Sequence, residues 1–198
     1  TIPPIPEITP EDIKESDTDT AVYVIARDSG EGGDRYLKGG DYLLRDDEIS
    51  AITTLASAYK NTIVLLNVGG ILNAGTIKDI EGVDAIVNVS QLGNIGGLVT
   101  ADMLLGKCDP SGRLTDTWAK RYEDYPGYKN FSHNNGDVDN EIYEEGIYIG
   151  YKYFDTFEVE PLYPFGYGLS YTTFSYSKPS IKATKDGFIA SITVTNTG

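Results

Sequence analysis

The chain has 198 residues, with 30 acidic against 16 basic side chains and a formal net charge of −14. That length buries a full core and suggests one domain or one and a fraction. The acidic balance makes nucleic acid and anionic membrane surfaces poor partners, because phosphate binding rests on clustered Lys and Arg. A single cysteine, Cys108, excludes an internal disulfide, and the lone His133 leaves no cluster with zinc spacing, so neither a metal nor another cofactor is expected. No uninterrupted apolar stretch approaches the roughly 20 residues of a membrane helix, and the first residues carry no basic-then-apolar leader pattern. The chain as given is therefore expected to be soluble, with its compartment open.

Residues 1–10 are Pro-rich and extended, and Thr9-Pro10-Glu11-Asp12 supplies an N-cap, a first-position proline and first-turn acids for a short helix to about Glu15. The apolar run Ala21-Val22-Tyr23-Val24-Ile25-Ala26 predicts a buried strand over 22–26. Directly after it stands Arg27-Asp28-Ser29-Gly30-Glu31-Gly32-Gly33-Asp34-Arg35. Ligands of open α/β sheets collect at the carboxyl ends of strands, and glycines turn the chain sharply while leaving a side chain uncovered. Glu31 is on this ground the leading functional residue, with Arg27, Asp28, Ser29, Gly30, Gly32, Asp34 and Arg35 as its loop support. A phosphate cradle is the rival, but Asp28, Glu31 and Asp34 repel phosphate and no Gly-Lys-Ser/Thr follows. The bland reading is a tight turn whose Glu31 is solvated or paired to Arg27 or Arg35.

Asp46-Asp47-Glu48 predicts the start of a helix over 47–59, with Ile49, Ile52, Leu55, Ala56 and Tyr59 on one stripe and Glu48, Ser57 and Lys60 on the polar side. The continuous apolar runs at 62–66 and 85–89 predict strands covered on both faces. A short helix fits within 71–80. A further helix at 96–105 is crowded with Leu98, Ala101, Met103, Leu104 and Leu105 and stops at Gly106. Alternating strands and helices from 19 to 118 argue for a largely parallel sheet between helical layers, joined by right-handed crossovers.

After Trp118, expected in the core at a strand end, the texture turns to tyrosine, glycine and acid, with a loop over 121–140 and a compact segment over 142–171. Ordered stretches of that length wrap a surface or edge a site. From Thr173 the pattern alternates, with a turn at Lys185-Asp186-Gly187, and predicts the first hairpin of an all-β module. The chain accordingly divides into a lead-in with a short helix (1–18), an α/β domain with its wrapping segment (19–172) and the start of a β module (173–198).

Four segments agree on one family: Arg27 to Arg35 as quoted, Asp109-Pro110-Ser111-Gly112-Arg113-Leu114, Tyr143-Glu144-Glu145-Gly146-Ile147-Tyr148-Ile149-Gly150-Tyr151-Lys152-Tyr153-Phe154-Asp155, and Pro164-Phe165-Gly166-Tyr167-Gly168-Leu169-Ser170-Tyr171. Together they resemble the C-terminal half of family 3 glycoside hydrolases, the β-glucosidase group. The resemblance implies a three-layer α/β/α sandwich followed by the truncated start of a fibronectin type III-like module. It further implies that a separate (β/α)8 barrel carries the nucleophilic aspartate, and that Glu31 matches the loop glutamate serving as general acid/base. No barrel is present, and the family's opening strand and helix of the sandwich are expected to be missing ahead of Thr1, so the chain reads as a fragment. Retaining glycosidases need two carboxyl groups roughly 5–5.5 Å apart, which need not share a domain.

The implied function is hydrolysis of terminal non-reducing β-D-glucosyl residues, with a β-glucoside or oligosaccharide as substrate and the barrel as partner; the fragment alone is expected to be inactive. The competing readings are a non-catalytic module binding carbohydrate or a partner protein, and a nucleotide-binding domain resting on fold analogy alone. Glu144 and Glu145 are read as structural, packed among Tyr143, Ile147, Tyr148 and Tyr151, and Phe165, Tyr167 and Tyr171 as rings packed at a domain junction rather than a sugar platform. Cys108 is read as a small turn residue, and His133 as a solvated loop side chain.

Overall fold

A computed structural model describes residues 3–28 and 34–198. Its centre is a parallel sheet in the order β1 (Thr20–Arg27), β2 (Asn61–Val68), β3 (Ala85–Asn88), with α2 (Asp46–Ala58), α3 (Gly75–Lys78) and α4 (Gly96–Leu104) between and after the strands, and α1 (Pro10–Glu15) ahead of them. This is the parallel α/β architecture that the apolar runs predict.

Side chains alternate across each strand, so register decides which residues share a face. Pairing of Tyr23 with Val64 and Ile25 with Leu66, and of Val64 with Ile86, aligns one apolar face. Ile52 of α2 joins Ile25, Val64, Leu66, Val68, Leu72, Ala74, Ile77 and Trp118 in a single core on that face. Each fully buried Ile, Leu or Val contributes roughly 1.5–3 kcal/mol by leaving water, so this cluster holds the sheet and α2 together. Trp118 is core as expected, and it bridges to Tyr163.

The opposite face differs from expectation. Leu65 is buried on both counts, but Val22 and Val24 of β1 are 42% and 52% exposed, and β3 is only half-buried. Helix α4 has no buried residue, and Leu98 is 64% exposed despite its apolar sequence. An apolar run specifies that a strand can be covered on both faces, yet among the described residues it is β2, flanked by a strand on each side, that acquires that cover, at Leu65.

Glycine is required where the chain packs closely on itself. Gly82 has φ +88°, and a Cβ there would meet the Ala56 carbonyl oxygen at 2.6 Å, so α2 ends tight against the turn before β3. Gly168 lies against the backbone of Gly112, which lets the segment around it close on the earlier turn. There Tyr167 O accepts from Leu114 N–H at 2.8 Å, and Ser170 Oγ donates to Asp109 Oδ2 at 2.6 Å. Two of the motifs quoted from the sequence are thus one structural unit.

The lead-in is fastened to α2. Ile5 N–H donates to Asp47 Oδ2 at 3.0 Å, and Arg45 Nε donates to Asp47 Oδ1 at 2.8 Å. The Ile5 hydrogen bond first, and Arg45 second, hold the Asp47 carboxyl below its ordinary value of 3.8. A lowered carboxyl pKa contributes stability above the unfolded value and loses it as pH falls through the folded one. Amide exchange at Ile5 should therefore accelerate, relative to Tyr23 in β1, only as pH drops below 3.8. A ratio that stays flat through that range would remove Asp47 as the anchor.

The wrapping segment carries short 3₁₀ turns at Tyr122–Asp124 and Phe131–His133 and one helix, α5 (Tyr151–Thr156). Beyond it, β5 (Ser180–Thr184) and β6 (Gly187–Ser191) form the hairpin expected at Lys185 to Gly187, and β4 (Phe174–Tyr176) pairs antiparallel with β7 (Val194–Asn196).

Candidate active site

Strand β1 ends at Arg27, and parity puts its side chain on the core face with Ile25. A guanidinium buried there needs acceptors, because an unpaired buried charge is strongly unfavourable. It finds them in α2. Arg27 Nη1 and Nη2 donate to Glu48 Oε1 and Oε2 at 2.7 and 2.6 Å, a bidentate pair whose side chains are 6% and 7% exposed. Glu48 was expected on the polar side of α2. It is instead buried, because three residues past the cap it faces both the sheet and the helix start, where its Oε2 also accepts from Arg45 N–H at 2.8 Å.

Of the loop, Ser29, Gly30, Glu31, Gly32 and Gly33 lie outside the described residues. Asp28 and Asp34 on either side are exposed. Arg27 Nη1 also donates to Ala26 O at 2.9 Å, and its Nε donates to Asp41 O at 3.1 Å, while the pairing of Arg27 or Arg35 with Glu31 lies outside the described residues. On the far side of the loop, Arg35 Nη1 donates to Asp41 Oδ1 at 3.2 Å, and Tyr36 N–H donates to Asp41 Oδ2 at 2.9 Å. Arg35 also lies against Gly70 beyond β2, where an added Cβ would stand 3.3 Å from its Nε. Gln91, after β3, donates to Arg27 O at 3.4 Å. The described residues on either side of the loop, Arg27 and Arg35, thus have neighbours beyond the carboxyl ends of β2 and β3.

Sequence reasoning missed Glu48 and Asp41. For Glu48 a signal existed, since a glutamate in the first turn of a helix beside a strand bearing an inward arginine is a natural buried partner. Asp41 carried no local signal, because Gly39-Gly40-Asp41 reads only as a turn.

The other candidates fall elsewhere. Glu144 and Glu145 border a concavity of about 350 Å³ also lined by Tyr125, Tyr148, Tyr153 and Phe157. Their expected packing neighbours Tyr143 and Ile147 are 79% and 71% exposed, so that packing is not formed. Tyr148 meets Phe157 edge-on at 5.1 Å. Phe165 meets Tyr151 at 5.1 Å and Tyr167 stacks on Tyr163 at 4.8 Å, while Tyr171 is exposed. His133 is exposed, as expected, with Nδ1 3.2 Å from Glu141 Oε2. Cys108 is exposed. Among the described residues no group of three or more His, Cys, Asp or Glu is arranged to hold a metal, and no helix is long and apolar enough to cross a membrane.

A parallel sheet with helices packed along it, whose first strand runs into an acidic, glycine-rich sequence, defines an α/β sandwich domain. The chain belongs to glycosyl hydrolase family 3: residues 8–151 match the Glycosyl hydrolase family 3 C-terminal domain. It is 44% identical over 182 residues to a beta-glucosidase of Ruminococcus albus, covering 91% of this chain and 19% of that protein. It is 39% identical over 174 residues to beta-glucosidase BoGH3A of Bacteroides ovatus, covering 85% of this chain and 22% of that one. The structure of beta-glucosidase 3B from Thermotoga neapolitana in complex with glycerol superposes with a TM-score of 0.88 at 40% identity, over 99% of this chain and 28% of that chain. The chain therefore spans about a fifth to a quarter of the length of such relatives.

Proposed function

We propose that this chain is the part of a retaining, exo-acting β-glucosidase that supplies its general acid/base, Glu31, to an active site completed by a (β/α)8 barrel elsewhere in a longer protein. The supporting observation is the position of the motif: Glu31 belongs to a loop that leaves β1 at its carboxyl end, in a domain whose relatives are beta-glucosidases several times longer. In this reading the barrel's aspartate attacks the anomeric carbon while Glu31 protonates the leaving oxygen, and Glu31 then activates water to release glucose. The nucleophile's negative charge and burial beneath the sugar raise the pKa of the acid so that it is protonated when needed. Residues 173–198 are read as the start of a fibronectin type III-like domain.

The test compares the isolated chain with the full-length protein on a β-glucoside, following glucose release and the anomer first formed by NMR. The full-length protein should release β-glucose, and the chain alone should release none. An inactive full-length protein would favour the alternative, a non-catalytic module that binds carbohydrate or a partner. First-formed α-glucose would exclude the retaining mechanism.

A further inference from the structure

We infer that Asp41 is a positioning residue for the acid/base loop, one side chain and carbonyl that tie both stems of the loop to a rigid turn; this rests on the reading of Glu31 as the acid/base. The approach side is held through the main chain, where Arg27 Nε donates to Asp41 O at 3.1 Å. The return side is held through the carboxylate, which accepts from Arg35 Nη1 at 3.2 Å and from Tyr36 N–H at 2.9 Å. No other described residue bonds to both stems. Asp41 is itself immobilised. Gly40, at φ +84°, donates to Leu43 O at 2.9 Å, and Leu43 N–H donates to Lys38 O at 3.1 Å, closing the turn around it. The next residue, Tyr42, is buried, accepts from Asn73 N–H at 2.8 Å, and meets the Tyr122 ring edge-on at 5.3 Å.

The consequence is geometric. A general acid must stand within hydrogen-bond reach of the leaving oxygen, and a misplacement of ~1 Å can cost ~10²-fold. Seven residues, 28–34, separate the two tied stems. Both described ends are tied to one point, Asp41, and that shared tether is what makes it the positioning residue in this inference. Arg27 is held by Glu48 whatever Asp41 does, so loss of the Asp41 carboxylate frees chiefly the return stem.

The test is a cycle in the full-length enzyme with Asp41→Ala, Glu31→Ala and the double variant, assayed on an unactivated alkyl β-glucoside and on an activated aryl β-glucoside. Asp41→Ala should lower kcat/KM on the alkyl substrate by ~10–10²-fold and on the aryl substrate by less than about 3-fold. Azide should partly restore turnover, and Asp41→Asn, which keeps an acceptor oxygen, should fall between wild type and Asp41→Ala. In the Glu31→Ala background Asp41→Ala should cost nothing further, because a group that acts through Glu31 has nothing left to position. Equal losses on both substrates, or losses that multiply in the double variant, would overturn the role of Asp41. If Glu31→Ala itself lacks the leaving-group dependence, the acid/base reading fails instead, so the two failures are separable. Should Asp41→Ala not fold, as judged by its thermal transition, Asp41→Asn is read by the same criteria.

Discussion

Glu31→Ala in the full-length enzyme is expected to lower kcat/KM on unactivated glucosides by about 10²–10⁴-fold, the usual worth of a positioned acid or base. Activated phenol glucosides need little protonation to depart, so their glycosylation step should be nearly untouched. The second step still lacks its base. A glycosyl-enzyme should then accumulate and KM on the activated substrate should fall with kcat, a pattern that a merely destabilised protein does not give. Azide needs no base to attack, and should restore turnover and yield a glycosyl azide of retained configuration. Mass spectrometry of the intact protein and NMR of the product decide the matter. Equal slowing of both substrates, with no azide product, would make Glu31 a structural turn residue.

The legible parts of the fold were those where burial is decided along the chain itself. Apolar runs at 62–66 and 85–89 became β2 and β3 in the expected parallel order, and the Ile52 and Ala56 stripe became the core face of α2. Alternation across β1 was the weaker signal. Six apolar residues in a row look the same whether one face or two is covered, and Val22 and Val24 turned out exposed. Of the candidate site, the loop stands out in the sequence because glycine and acid at a strand end are a local pattern, and its residues 29–33 lie outside the described residues. Its fastening does not stand out, since Glu48 and Asp41 act on Arg27 across 21 and 14 residues of sequence, and such partners emerge only when the sheet and α2 are packed together. Even there, parity offered a handle: Arg27 shares the inward face with Ile25, and a buried cation demands a carboxylate nearby.

That pair sets the second large effect. Glu48→Ala should destabilise the protein by about 3–5 kcal/mol, because it strands the Arg27 guanidinium in the core without its bidentate partner. It also frees Arg45 N–H, so about 1 kcal/mol more is at stake at the start of α2. Arg27→Met should cost a comparable amount by leaving Glu48 buried and half-partnered. The double variant Arg27→Met with Glu48→Leu removes both charges and refills the volume with apolar groups, and such replacements of a buried pair are commonly neutral or stabilising. Urea denaturation should therefore find the double variant more stable than either single one, with a coupling energy of roughly 3 kcal/mol or more. Activity should not follow stability. The double variant lacks the Arg27 Nε bond to Asp41 O, which ties the approach side of the loop, so turnover of unactivated glucosides should stay low in a protein that is fully folded. If the double variant is as unstable as the sum of the single ones, the pair is not coupled as its geometry implies. If it recovers activity together with stability, the approach side of the loop needs no tether from Arg27, and the buried pair serves folding alone.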